Sequence, residues 1–267
     1  MTDDDKLRLG GMALRNGLLV HGPTHWAAAV RTGDGEVKVA SGRKPRIGTG
    51  VLERLPGVRG VAKLAEAMAV IPLVKKALPE AKLPMQDMRT LATMGAVTVT
   101  AHAIRRPGAA RTAGREAAVA LLSVAPALLA LRRGDLAAWH GVEHKSIAAY
   151  EQDADAQDAS KEHDRCGSHL VAPMLSTSVA GTVAARRAGL RGPAVEGAIA
   201  LGSMAVAVEI FGWSERHSGS KLARAFRRPG HELQRAIGTR EPDGEQLEVG
   251  RRAMEEILRV EALTAEQ

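Results

Sequence analysis

In the stretch AAWHGVEHKSIAAYE, residues 137–151, His140, Glu143 and His144 stand at i, i+3 and i+4. On an α-helix the two histidines lie one turn apart and about 40° apart around the axis, so both imidazoles can reach one ion. Neutral histidine nitrogen suits Zn2+ at about 2.0–2.1 Å. Glu143 falls on the same face, where it can take a proton from a water on the metal. The order H-x-x-E-H inverts the H-E-x-x-H of zinc proteases. A catalytic zinc needs a third protein ligand and one open position. Glu209, in MAVAVEIFGW, is the first candidate, because an ionised carboxylate among Val, Ala and Ile is costly unless paired or metal-bound. Glu196 and Glu151 come next, and Cys166 is a soft alternative. The same residues also admit a plainer account. Two histidines four apart can be an ordinary polar patch, with Glu143 facing solvent and Glu209 paired with an arginine such as Arg216.

The elements that must position this motif can be read in outline. The first fifty residues predict β-structure, with WAAAV and EVKVA joined by RTGDGE, where Asp34-Gly35 is a hairpin-turn pair. From Val58 to Ala77, apolar residues recur at three and four, which predicts a helix that ALPEAKLP then breaks. Four weakly apolar segments follow: Thr90 to Ile104, Ala117 to Leu131, Cys166 to Ala185, and Ala194 to Trp213. Length and hydropathy fit buried helices of a bundle about as well as membrane spans. Their small residues are what membrane helices use to pack closely. Between the second and third segments, EQDADAQDASKEHDR has no apolar period and predicts a solvated connection. Near the C-terminus an amphipathic helix is expected, capped by Asp243 with Gln246, its buried stripe marked by Leu247, Met254, Ile257 and Leu258. The predicted fold is therefore mainly α with a small N-terminal β-hairpin region. Three parts are expected: a β-rich segment over 1–57, a helical core over 58–220 that carries the H-x-x-E-H motif, and a helical segment over 221–267.

Composition narrows the function classes. Of 267 residues, 45% are hydrophobic but only 2% aromatic, so the core must be built from aliphatic side chains and close helix contacts. The balance of 37 basic against 30 acidic residues permits an anionic partner. Nucleic acid is disfavoured, because so few aromatics cannot build a stacking platform and the basic residues are spread along the chain. One cysteine excludes an intrachain disulfide. The acidic start MTDDDKLRLGG precedes no apolar signal region, so any membrane contact is expected through internal segments.

A set of motifs then carries a resemblance. GGMALRNGLLVHGPTHWAAAVRTGDGEV, LPGVRGVAKLAEA, WHGVEHKSIAAYE, HDRCGSH, AVEIFGW and LQRAIGTREPDGEQLEVG occur in this order. From about Gly10 to Met254 the chain resembles the YqhQ-like bacterial family of unknown function, whose members are described as predicted metal-dependent enzymes. The resemblance implies a multi-pass membrane protein with the lipid bilayer, and other membrane proteins, as partners. Its motif positions include His140, Glu143, His144, Glu151, His163, Arg165, Cys166, Glu209 and the run Thr239 to Asp243. Where relatives carry Glu in the first motif, this chain has Asn16.

Two functions of different class follow as expectations. One is a zinc-dependent hydrolase of the amide or peptide type at the cytoplasmic membrane, its site on the cytoplasmic side. There His140, His144 and Glu209 hold Zn2+ and Glu143 activates water. The other is a non-enzymatic membrane scaffold or assembly factor, whose His-Glu cluster is a structural hydrogen-bond network.

Overall fold

Strands β1 (Gly10–Leu14), β2 (Gly17–His21), β3 (His25–Arg31) and β4 (Val37–Arg43) form an antiparallel meander in that order. The computed structural model describes residues 6–47, 57–105, 112–132 and 134–265. The acidic start at residues 1–5 and the middle of the basic connection RRPGAARTAGR, residues 106–111, lie outside them. Side chains alternate across the pleat with period two. Leu18, Val20, Ala27 and Ala29 point to one face, and Leu14, Leu19, Ala28 and Val30 to the other. The first face is covered by α5 (Leu136–Gln152) and α9 (Gly244–Ala265). The second is covered by Val70 and Val74 of α1 (Val58–Ala77) and by Leu78 and Ala81 just beyond it. A sheet buried on both faces explains why β2 and β3 read as nearly continuous apolar runs. The expected β3–β4 hairpin is present, with Gly35 at φ 89° in its turn. Asn16 closes the β1–β2 turn region by donating to the carbonyls of Arg31 and Glu80 and accepting from the amide of Lys82. It is a structural residue.

The remaining helices are α2 (Met88–Ile104), α3 (Ala113–Ser123), α4 (Ala125–Arg132), α6 (Val171–Arg187), α7 (Pro193–Arg216) and α8 (Lys221–Leu233). The segment expected at Ala117 to Leu131 is thus two helices meeting at Val124, and Cys166 to Ala185 begins with a 3-10 turn over Gly167–Leu170 before α6. Two stretches are long and apolar enough to cross a membrane, Ala113–Arg132 and Pro193–Arg216. Few of their residues are buried, and Leu121, Leu201 and Val206 expose large apolar side chains, as do Met88 and Val99 of α2. Exposed apolar surface on that scale marks an interaction surface. Inside this half, Glu116 is buried and accepts hydrogen bonds from Arg105 at 2.8 and 3.1 Å and from Arg186, tying together the ends of α2, α3 and α6.

At the C-terminus the capping box is present. The Gln246 amide donates to the Asp243 carboxylate at 2.8 Å, and the Asp243 amide donates to the Gln246 side chain at 3.1 Å. The buried stripe is shifted from the sequence expectation. Val249, Ala253, Met254, Ile257 and Val260 face the core, while Leu247 and Leu258 are half-buried at its edge. Glu261 fixes the far end of α9 to the sheet by accepting from the amides of Thr24 and His25 and from the Thr24 hydroxyl.

Candidate metal centre

Helix α5 is buried along nearly its whole length, from Leu136 to Trp139 and from Gly141 to Ala148. Its apolar side, Leu136, Trp139, Val142 and Ile147, joins the core under the sheet. Its polar side must find partners within the protein, because an unpaired polar group buried there is costly. Lys145, 4% exposed, donates to the carbonyls of Gln157 and Ala159 at 3.1 and 2.7 Å and pairs with Glu241 at 2.7 Å. The stretch from 153 to 165, expected as a solvated connection, is therefore ordered over the polar side of α5. A left-handed Asp153, at φ 52°, turns the chain back to do so.

The two histidines are held in one way. His140 Nδ1 lies 2.8 Å from the carbonyl of Gly238, and His144 Nδ1 lies 2.6 Å from the carbonyl of Lys161. A carbonyl only accepts, so in each neutral ring the proton sits on Nδ1 and the lone pair on Nε2. His140 Nε2 is 3.4 Å from Cys166 Sγ, and the ligand atoms of His140, His144 and Cys166 lie within 4.8 Å of one another. His144 Nε2 is buried with no partner among the described residues. An acceptor lone pair left bare in the interior fits an ion at that point. Histidine ligands whose second nitrogen is fixed by a carbonyl are the usual form of a metal site. Burial, followed by the charge of His140, drives the His144 imidazole down to about 2. For His140, burial lowers the imidazole, but the Cys166 sulfur and Glu143 outweigh it and lift the group to about 9.

Cys166 enters the cluster in place of Glu209. The Glu209 carboxylate is engaged elsewhere: it accepts from the amide of Gly57 at 2.8 Å and from both arms of Arg59 at 2.8 and 3.2 Å. An ion pair satisfies the cost of that carboxylate, with Arg59 rather than Arg216 as partner. Glu196 is exposed in the first turn of α7. Glu151 is paired with Arg165 and lies 3.2 Å from His163 Nε2. Glu143 is buried, 8% exposed, and burial raises its carboxyl above the usual range against the pull of His140 and His163. It rests in a space that only glycine leaves. A Cβ on Gly11 of β1 would stand 2.6 Å from Glu143 Cγ.

Sequence patterns gave no sign of the carbonyls that orient the histidines. That of Gly238 is set by a π-helical turn, Gln234–Gly238, at the end of α8. Gln234 is fully buried and binds His163 through the backbone at both its amide and carbonyl, and also Ser168 and His169. Such widened turns are frequent at functional sites. The TREPD run then crosses α5, where the Arg240 amide donates to the carbonyl of Ala137 at 2.9 Å and its guanidinium pairs with Asp135.

His140, Glu143, His144, His163, Arg165 and Cys166 line one end of a cavity of about 540 Å3. Fold and site thus define a mainly helical protein with a four-stranded sheet, two apolar helices able to span a membrane, and a buried His-His-Cys cluster beside a buried glutamate. Residues 135–260, which contain that whole cluster, match the family described as protein of unknown function (DUF1385). This is consistent with the YqhQ-like resemblance carried by the motifs. No curated protein and no solved structure matches the chain significantly.

Proposed function

We propose that the protein is a metal-dependent hydrolase of the cytoplasmic membrane, with Zn2+ held by His140, His144 and Cys166 and its site on the cytoplasmic side. The observation that carries this reading is the pair of Nδ1–carbonyl hydrogen bonds. They turn both Nε2 atoms and one sulfur toward a single point, where His144 Nε2 is buried and otherwise unpartnered and an ion would take the place of the proton that His140 carries on Nε2. Histidine nitrogen and cysteine sulfur both suit zinc, and three protein donors leave a fourth position open. When bound, the ion lowers the pKa of a water molecule and polarises a carbonyl. Glu143 takes the proton. Burial raises its carboxyl above the usual range, which strengthens it as a base, and it can return the proton to the leaving nitrogen of an amide. His163 lines the same cavity, with Nε2 donating to Glu151 and Nδ1 accepting from the amide of Arg165, so its ring is held in place beside the cluster. Two stretches long and apolar enough to cross a membrane support a location at the bilayer, and fractionation with membranes is expected.

The test is elemental analysis of protein purified without chelator. The expected result is one zinc per chain, with most of it lost in His140→Ala, His144→Ala and Cys166→Ala. Glu143→Gln keeps the ligands and should keep the metal. Wild-type protein with no stoichiometric metal would overturn the proposal and leave the cluster a structural network in a scaffold.

A further inference from the structure

The cavity beside the cluster is chemically divided. Its polar groups gather at one end, and the rest of its wall comes from the sheet, from Leu64, Ala67 and Met68 of α1, and from Ala127, Ala130 and Leu131 of α4. Met68 and Ala127 are exposed and stand at the mouth, between α1 and α4. Helix α4 is the last part of Ala113–Arg132, one of the two stretches able to cross a membrane. Helix α5 starts at Leu136, just past the end of that stretch. A bilayer crossed by Ala113–Arg132 would therefore meet the cavity at its α4 wall, near one end of the span. A volume of about 540 Å3 falls in the range of ligand pockets, and its walls are mostly apolar with few convergent polar groups.

We infer that the substrate is an acylated amphiphile, entering from the bilayer between α1 and α4 with its acyl chain along the apolar wall and its carbonyl at the His-His-Cys end. This rests on the hydrolase reading and specifies its substrate. Arg165, lining the polar end and already shared with Glu151, faces the headgroup side. In the reaction, water adds through oxygen to the acyl carbon and the carbon–nitrogen bond of the amide breaks. Glu143 moves one of the water's protons to the departing nitrogen and the new carboxylic acid gives up the other to the amine, leaving a fatty carboxylate and an ammonium group. No redox partner is needed.

The experiment uses the full chain in lipid nanodiscs, loaded with zinc, and two probes with the same metal-binding head: acetohydroxamate and dodecanohydroxamate. Ala67→Phe places a ring in the apolar wall without touching the cluster, and Ala130→Phe does so from α4 in case the first variant fails to fold. The long probe should bind the wild type at least about tenfold more tightly than the variant, since several methylenes lose their place. Acetohydroxamate should bind both alike. If dodecanohydroxamate binds wild type and variants equally, the inference is overturned while the metal site stands. If no zinc is retained, the same comparison is run with acetate and dodecanoate. A chain-length effect confined to the wild type then supports the acyl cavity although the hydrolase reading has failed, and its absence sinks both.

Discussion

Replacing Gly141 by Ala should disturb the metal centre from outside the ligand set. A Cβ at this position of α5 would stand 2.3 Å from the backbone carbonyl oxygen of Arg240. Non-bonded contacts are comfortable from about 3.5 Å, so α5 and the 239–242 run must part by roughly 1 Å. Neither side of the clash is a flexible side chain, and Arg240 is tied to the same helix through Ala137 and Asp135. Overpacking of this kind costs about 1–3 kcal/mol. The more specific effect concerns Gly238, two residues before Arg240, whose carbonyl holds His140 Nδ1 at 2.8 Å. A shift of roughly 1 Å there breaks or lengthens that bond, and loss of such a support costs about 10–100-fold in metal affinity. Gly95→Ala is the control. It lies inside α2 with nothing within 4 Å of its Cβ, and should be neutral or stabilising by up to about 1 kcal/mol. Thermal melting and zinc competition with a chromophoric chelator measure both effects. Wild-type melting and wild-type zinc affinity in Gly141→Ala would refute this account of how His140 is held.

Three further outcomes are expected. Asp243→Ala removes the cap of α9 and should cost about 1 kcal/mol in melting experiments, with zinc affinity unchanged. His21 is held at about 4, below its ordinary 6.5, by burial and then by Lys44. Below pH 6.5 the unfolded chain takes up a proton that the folded chain refuses until about pH 4, so the stability is complete above 6.5 and lost as pH falls through that window. The loss should reach on the order of 3 kcal/mol by pH 4 in denaturant titrations, and a His21→Gln variant should show a smaller fall. Lys145→Ala frees the carbonyls of Gln157 and Ala159 and should make the 153–161 stretch cleavable by limited proteolysis, whereas resistance equal to wild type would show that other contacts hold it.

The sequence made the helix at Val58–Ala77, the β3–β4 hairpin, the capping box and the His140–Glu143–His144 face legible, because each rests on spacing along one element. The third member of the cluster was not legible in the same way. Apolar neighbours favoured Glu209, but a carboxylate can be satisfied by an arginine far along the chain, and Arg59 is such a partner. Cys166 ranked lower because a lone thiol packs well as a small apolar group; only the fold places its sulfur beside His140. The acidic stretch after α5 is solvated as its composition suggests, with Asp153, Asp155, Asp158 and Ser160 exposed, but the carbonyls and side chains that fix it to α5 and α8 are not revealed by residue type. The extent of membrane contact stayed open in the sequence for a related reason. Small residues pack equally well in water and in lipid, and what separates two of the four segments is the continuous length and apolar composition of their helices.

The bond from His140 to the carbonyl of Gly238 spans 98 residues of chain. At ribosomal rates of about 5–20 residues per second, roughly 5–20 s pass between synthesis of the histidine and of the carbonyl that fixes its tautomer. Until then the imidazole is free to present either nitrogen, and a nascent chain cannot hold the ion in its final geometry. The centre is therefore a late assembly, completed only after α6, α7 and α8 have been made. A chain halted before the π-turn would carry both histidines and the cysteine without the carbonyl that orients His140.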